Sequence, residues 1–450
     1  MTMRAIDPTS EPAAPAPAPA ARESAEPPLP GFRRVPRTGV IYVMHRAEQL
    51  GYGRDGETWF NLGQGSPEVG PLPGAPPRRS RLELPDAHHA YAPIGGIWEL
   101  RERVAEHYNA LYRRGRGSRY TAENVGIAPG GRAALSRLAA AMAPINLGHF
   151  IPDYTAYEEL LFSFRGFIPI PILHDVQAGY RTGAAGLREE IVGRGLGGVL
   201  LSNPANPTGQ LVAGSELAEW IEVARSTRCS FLFDEFYSHY VYPEAGGDLG
   251  LAGDPPTVSA AAYVDDVERD PVVIVDGVTK NWRYPGWRVS WIVGPRSVIE
   301  QANSAGSFLD GGANQPFQRA ALELLDLDLT FAETRAIQAE FGRKRRFLLD
   351  RLRAIGVTVE AEPRGTFYVW GNLEGLPLPL RDGMAFFEAC LPQRVITVPG
   401  VFFDVNPGRR RAHARYQTNS RLSFGASLER LRGALERVER VVAAATSRSE

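Results

Sequence analysis

The sequence predicts an α/β fold: a large, mainly parallel sheet flanked by helices, with a smaller α/β unit attached. Three observations predict it. From Gly31 onward, short apolar runs alternate with amphipathic stretches. At 450 residues, 44% hydrophobic and 22% charged, the chain has room for a large core and for two folding units. One long helical stretch, residues 330–355, separates the main series of runs from a shorter α/β segment.

Residues 8–30, "PTSEPAAPAPAPAARESAEPPLP", lack apolar periodicity and predict a disordered tail over residues 1–30. Five apolar runs of strand length follow: "NVGIA" (124–128), "GGVLL" (197–201), "SFLFD" (230–234), "VVIVD" (272–276) and "WRVSWIVG" (287–294). Between them lie "IWELRERVAEHYNALYRR" (97–114), "GRAALSRLAAAM" (131–142) and "SELAEWIEVARS" (215–226), which predict helices. Beyond the long helix, "TFYVWGN" and "RLSFGAS" predict strands of the smaller unit, closed by a helix over 427–443.

Composition excludes several classes. A net charge of −1 gives no electrostatic reason to expect nucleic acid or an anionic membrane as a partner. No apolar run reaches bilayer length, and the N-terminus lacks the charged-then-apolar pattern of a signal segment. Two cysteines, Cys229 and Cys390, are too few for a disulfide framework or a cysteine metal site, so the cytoplasm is the default location. His88 and His89 have no Cys or acid at ligand spacing, so no metal site is expected. A GxxxxGK[ST] phosphate loop is absent, and "RGLGGV" is too little for a dinucleotide fingerprint.

Lysine usage supplies the chemical lead. Of 50 basic residues only Lys280 and Lys344 are lysines. Arginine stays protonated, whereas lysine can lose its proton and form an imine with an aldehyde. Lys344, in "GRKRRF", is expected on a solvated helix face. Lys280 follows an apolar run, in "VIVDGVTKNWRYPGWRVSW", where burial or a nearby cation would favour the neutral amine. Alone, such a lysine would be read as snorkelling from a strand end. Its neighbours change that reading. Arg288 lies eight residues on; "FLFDEFYSHY" carries Asp234 and Tyr237; "SNPANPTG" (202–209) presents Asn206; "IAPGGRAAL" (127–135) runs strand, double glycine, helix, a cradle for phosphate.

In this order the motifs resemble the aminotransferase class I/II family, fold type I enzymes dependent on pyridoxal 5′-phosphate (PLP), over roughly residues 60–440. The resemblance implies a large PLP-binding domain at 86–325 and a C-terminal small domain at 326–450. Residues 31–85 become an N-terminal arm and part of the small domain. It also implies roles. Lys280 would form the internal aldimine and then move the Cα proton. Asp234 would pair with the pyridine nitrogen, adjacent Glu235 being the weaker candidate. Asn206 and Tyr237 would bind the phenolic oxygen. Tyr154, in "IPDYTAY", would stack on the ring, with Tyr157 as competitor. Gly130, Gly131, Arg132 and Arg288 would hold the phosphate, and Tyr91 would reach the neighbouring subunit's phosphate, which implies a homodimer with shared sites. "GGANQPFQRAA" (311–321) lies in a region that also approaches the partner. Arg421, in "NSRLSF", would pair with the α-carboxylate of the amino acid substrate. Gly65, in "NLGQGSP", would line the same side, with Asn206 also near the substrate.

The chain departs from the family pattern at Gly277, where many relatives have Ser, and at Arg283 and Tyr284, where small or apolar residues are usual. Ser290 and Arg132 also differ from the common choice. The expected reaction is transamination of an α-amino acid. Two alternatives share the scaffold. One is β- or γ-elimination, substitution or C–C bond formation; the other is a PLP-binding regulator, for which the Pro/Ala tail is too short and too poor in basic residues to bind DNA.

Overall fold

The computed structural model describes residues 29–32, 35, 37, 39–54, 58–164, 166–245, 249–251 and 253–447. The disordered tail expected over residues 1–30 lies outside them, except for Leu29 and Pro30. The chain divides into two units, Met1–Arg37 and Thr38–Glu450. In the first, the Phe32 amide donates to Leu29 O at 3.1 Å, forming a turn. All helices and strands among the described residues belong to the second.

Seven strands form the main sheet: β1 (Val125–Ala128), β2 (Asn146–Ile151), β3 (Ile168–Leu173), β4 (Leu196–Ser202), β5 (Ser230–Asp234), β6 (Val272–Gly277) and β7 (Ser290–Val293). Their order is β1-β7-β6-β5-β4-β2-β3. Strand β7 is antiparallel to both neighbours, and the remaining pairs are parallel. Both faces are covered. Along β5, Phe231 and Phe233 join one apolar cluster and Leu232 the other; Ile274 and Val275 of β6 divide the same way. That two-residue alternation inside a continuous apolar run is what a sheet buried on both sides requires.

Five strands match the predicted runs; β2 and β3 do not appear among the predictions. In β2, Asn146, Gly148 and His149 interrupt the apolar pattern. In β3, Pro169 and Pro171 cannot donate to a ladder, which is tolerated because β3 is an edge strand. The strand predicted at 287–294 begins later than expected, at Ser290. Arg288 precedes it in a left-handed conformation, φ 54°, instead of starting the strand.

A second, antiparallel sheet runs β9-β10-β8, from β8 (Tyr368–Asn372), β9 (Val398–Pro399) and β10 (Asn419–Ser423). The long helix spans Leu327–Ala354, capped by the Asp326 side chain. Lys344 on this helix is a correction: it is fully buried, with Nζ donating to Glu68 Oε2 at 2.5 Å. The basic run around it suggests a wet surface, but helical spacing places Lys344 on the same face as buried Phe341 and Leu348.

Candidate active site

Strand register gathers the lead residues on one edge. Ser202 of β4 lies opposite Asp234 of β5, which lies opposite Val275 of β6; Ala128 of β1 and Gly277 of β6 both face Ser290. The loops leaving these carboxyl ends carry Gly130, Asn206, Tyr237 and Lys280. That edge is where open α/β sheets bind ligands.

Lys280 is partly buried, and Nζ donates to Gly65 O. Its pKa is lowered to about 7, first by loss of water, then by the charges of Arg421 and Arg288; Asp234 opposes them. A neutral amine is therefore within reach at physiological pH, which the surrounding arginines could not supply.

Asp234 is buried and its pKa is pushed up to about 6 by desolvation, held from going higher by the Tyr157 hydroxyl, which donates to Oδ2 at 2.8 Å. Tyr157 thus has a defined place beneath the site. Behind Asp234 stands a network that the sequence reading did not contain. Asp153 Oδ1 accepts from Ser202 Oγ at 3.0 Å and from the Tyr154 amide at 2.7 Å. Ser202 Oγ in turn accepts from the Asn206 amide at 3.0 Å, fixing the turn that carries Asn206. Burial raises the Asp153 carboxyl well above its ordinary value.

Arg421, on β10, is 1% exposed. Nη1 donates to Asn206 Oδ1 at 2.9 Å, Nη2 donates to Gly63 O at 2.6 Å, and the guanidinium carbon lies 4.1 Å from the Tyr368 ring centroid. Its Nε is buried without a partner. Tyr237 and Tyr368 share a hydrogen bond of 2.7 Å between their hydroxyls. Tyr368, like Asp153 and Ser202, is not among the predicted site residues; a tyrosine in "TFYVW" carries no local mark of a site.

On the opposite side, Gly130 caps the Gly131–Ala141 helix with φ 100°. A Cβ there would lie 1.8 Å from Arg288 Nη2, so only glycine lets the guanidinium lie against the turn. Arg132 Nη2 donates to the Tyr154 hydroxyl at 3.0 Å. Burial and the nearby Arg132 charge hold Arg288 below its ordinary value. Two crowded guanidiniums at a helix N-terminus form a cradle suited to a dianion. Glu235 points away, accepting from the Ala260 amide at 2.7 Å. Tyr91 stands apart from the cluster at 98% exposure.

The residues therefore fit PLP: a cationic cradle for the phosphate, a buried carboxyl for the ring nitrogen, an amine of lowered pKa and a guanidinium for a carboxylate. Among the described residues, no group of His, Cys, Asp and Glu could hold a metal ion, and no helix is long and apolar enough to cross a membrane.

Comparison with known proteins agrees with this geometry. The sequence profile of aminotransferase class I and II matches residues 57–438. The aspartate aminotransferase of Streptomyces avermitilis is 30% identical over 292 residues, which cover 64% of this chain and 67% of the relative. That of Thermotoga maritima is 26% identical, covering 86% of this chain and 92% of the relative. The solved structure of the aspartate aminotransferase from Thermus thermophilus with maleate superposes with a TM-score of 0.72 at 25% identity, covering 91% of this chain and 100% of that one.

Proposed function

The chain belongs to the aminotransferase class I and II family and is a PLP-dependent aminotransferase; on that premise we propose how its own residues serve the reaction. When bound, PLP supplies an electron sink for the pair released as a bond at the amino acid Cα breaks.

Arg288, Arg132 and the backbone N–H groups at Gly130–Gly131 would hold the phosphate, and Tyr154 the ring face. Asp234 would hold a proton on the ring nitrogen. With Asn206 Oδ1 accepting from Arg421, the Nδ2 donors of that amide are left for the phenolic oxygen, beside Tyr237. Arg421 receives the α-carboxylate, with Gly65 on the same wall. Lys280 would hold the cofactor and, once released from it, would carry the Cα proton, a task that its pKa of about 7 suits.

The observation that carries this reading is that Lys280, with Nζ on Gly65 O, stands at the sheet edge that carries Asp234 and feels the charges of that buried carboxyl and of Arg421, Arg288 and Arg132. Relatives named for aspartate make aspartate the first amino donor to assay. Incubating holoprotein with a panel of amino acids and weighing the products tests it. Keto acid formed with a stoichiometric amino-form cofactor supports transamination; a released leaving group with PLP regenerated favours elimination or substitution.

We also propose a homodimer in which Tyr91 serves the neighbouring subunit, supported by its 98% exposure. The division into a large domain at 86–325 and a small domain at 326–450 that recruits residues 31–85 is supported by the parallel pairing of Phe60–Asn61 with Val395–Ile396. A cytoplasmic location is supported by Cys229 and Cys390, both buried and free.

A further inference from the structure

Arg283 lies three residues beyond Lys280, and its side chain is fully buried. Burying a guanidinium is costly unless its donors are paired; here Nε and Nη1 are paired, and Nη2 is buried without a partner. Arg283 Nε donates to Glu333 Oε1 at 2.6 Å on the long helix. Nη1 donates to two backbone carbonyls, Glu68 O at 2.7 Å and Gly70 O at 2.6 Å. Its amide donates to Lys280 O at 2.9 Å, and its own carbonyl accepts from Arg78 Nη2 at 2.8 Å. The residue holds φ 58°, a conformation costly for a side chain of this size and sustained by these contacts.

The segment that Arg283 grips is the turn lining the candidate substrate side. Its carbonyls are held by cations from two places: Gly63 O by Arg421 of β10, and, from the one loop, Gly65 O by Lys280 and Glu68 O and Gly70 O by Arg283. Lys344 is a fourth cation on this segment, donating to the Glu68 carboxylate. Arg283 ties this turn both to the Lys280 loop and, through Glu333, to the long helix. One lysine ammonium could not reproduce the Nε and Nη1 contacts together, because they diverge along a planar fork.

We propose that Arg283 is a positioning residue that fixes the 63–70 turn against the Lys280 loop and so sets how tightly the amino acid is held between that turn and Arg421. The proposal rests on the reading of Arg421 and Gly65 as the substrate side of the site.

The test uses holoenzyme carrying Arg283→Met, Arg283→Lys or Glu333→Gln. For each, KM, kcat, cofactor affinity and backbone amide exchange at 63–70 are measured. The amino acid Kd, read from cofactor absorbance, stands beside KM, so binding remains readable without turnover. Arg283→Met is expected to raise KM and Kd about tenfold, the effect of losing charge-assisted hydrogen bonds. Cofactor affinity stays within about twofold, and faster exchange is confined to the turn. Arg283→Lys recovers part of the loss. If Arg283→Met does not fold, Glu333→Gln, which keeps the side-chain volume, carries the same split. Substrate binding within about twofold of wild type, or cofactor affinity falling in step with it, overturns the proposal. Failure of the wild-type enzyme to transaminate any amino acid would instead count against the functional reading.

Discussion

The Tyr157 hydroxyl donates to Oδ2 of Asp234 at 2.8 Å, beneath the edge where the main sheet presents Lys280. Burial lifts the Asp234 carboxyl to about 6, and Tyr157 opposes that lift. The carboxylate is therefore present above about pH 6 and lost as pH falls through that value. In Tyr157→Phe the loss begins at higher pH. A hydrogen bond to a charged group, worth roughly 1.5 kcal/mol, corresponds to about one pH unit. The acidic limb of cofactor affinity, titrated on the cofactor-free protein, is expected to move upward by about that amount; an unmoved limb would contradict the pairing.

Arg421 is held by Asn206, by Gly63 O and by the faces of Tyr368 and Phe403. Such a preset fork offers a carboxylate two parallel donors. Arg421→Lys keeps the charge and loses the fork, so kcat/KM for the amino donor should fall about a hundredfold, roughly 3 kcal/mol. Steady-state kinetics over a range of donor concentrations checks this.

Gly130→Ala places a methyl group 1.8 Å from Arg288 Nη2 at a backbone φ of 100°. Arg288 must leave the cradle or the turn must open. The expected result is cofactor affinity weakened by about tenfold or more, at least 1.4 kcal/mol, read by absorbance titration of the cofactor-free protein.

Much of this site is legible in the chain because its residues sit at strand ends in short, local motifs. Asp234 closes "SFLFD", Asn206 lies in a proline-rich turn after β4, and the double glycine opens a helix. What is not legible is held by distant partners. Asp153 and Ser202 meet across 49 residues, and Tyr237 meets Tyr368 across 131. Neither pairing leaves a periodicity or spacing to read. Lys344 shows the same limit from the other side. Its neighbours in sequence are arginines, but its neighbour in space is Glu68, 276 residues away. The edge strand β3 is hidden for a different reason: its prolines contradict strand propensity and are tolerated only by its position at the rim.

Lys280 is proposed as the amine that joins the cofactor. Reduction of PLP-loaded protein with borohydride, followed by peptide mass spectrometry, addresses it directly. A pyridoxyl mass is expected on the peptide containing Lys280, and none there in Lys280→Ala. A tag on Lys344, or no tag on protein loaded with the cofactor, would contradict it.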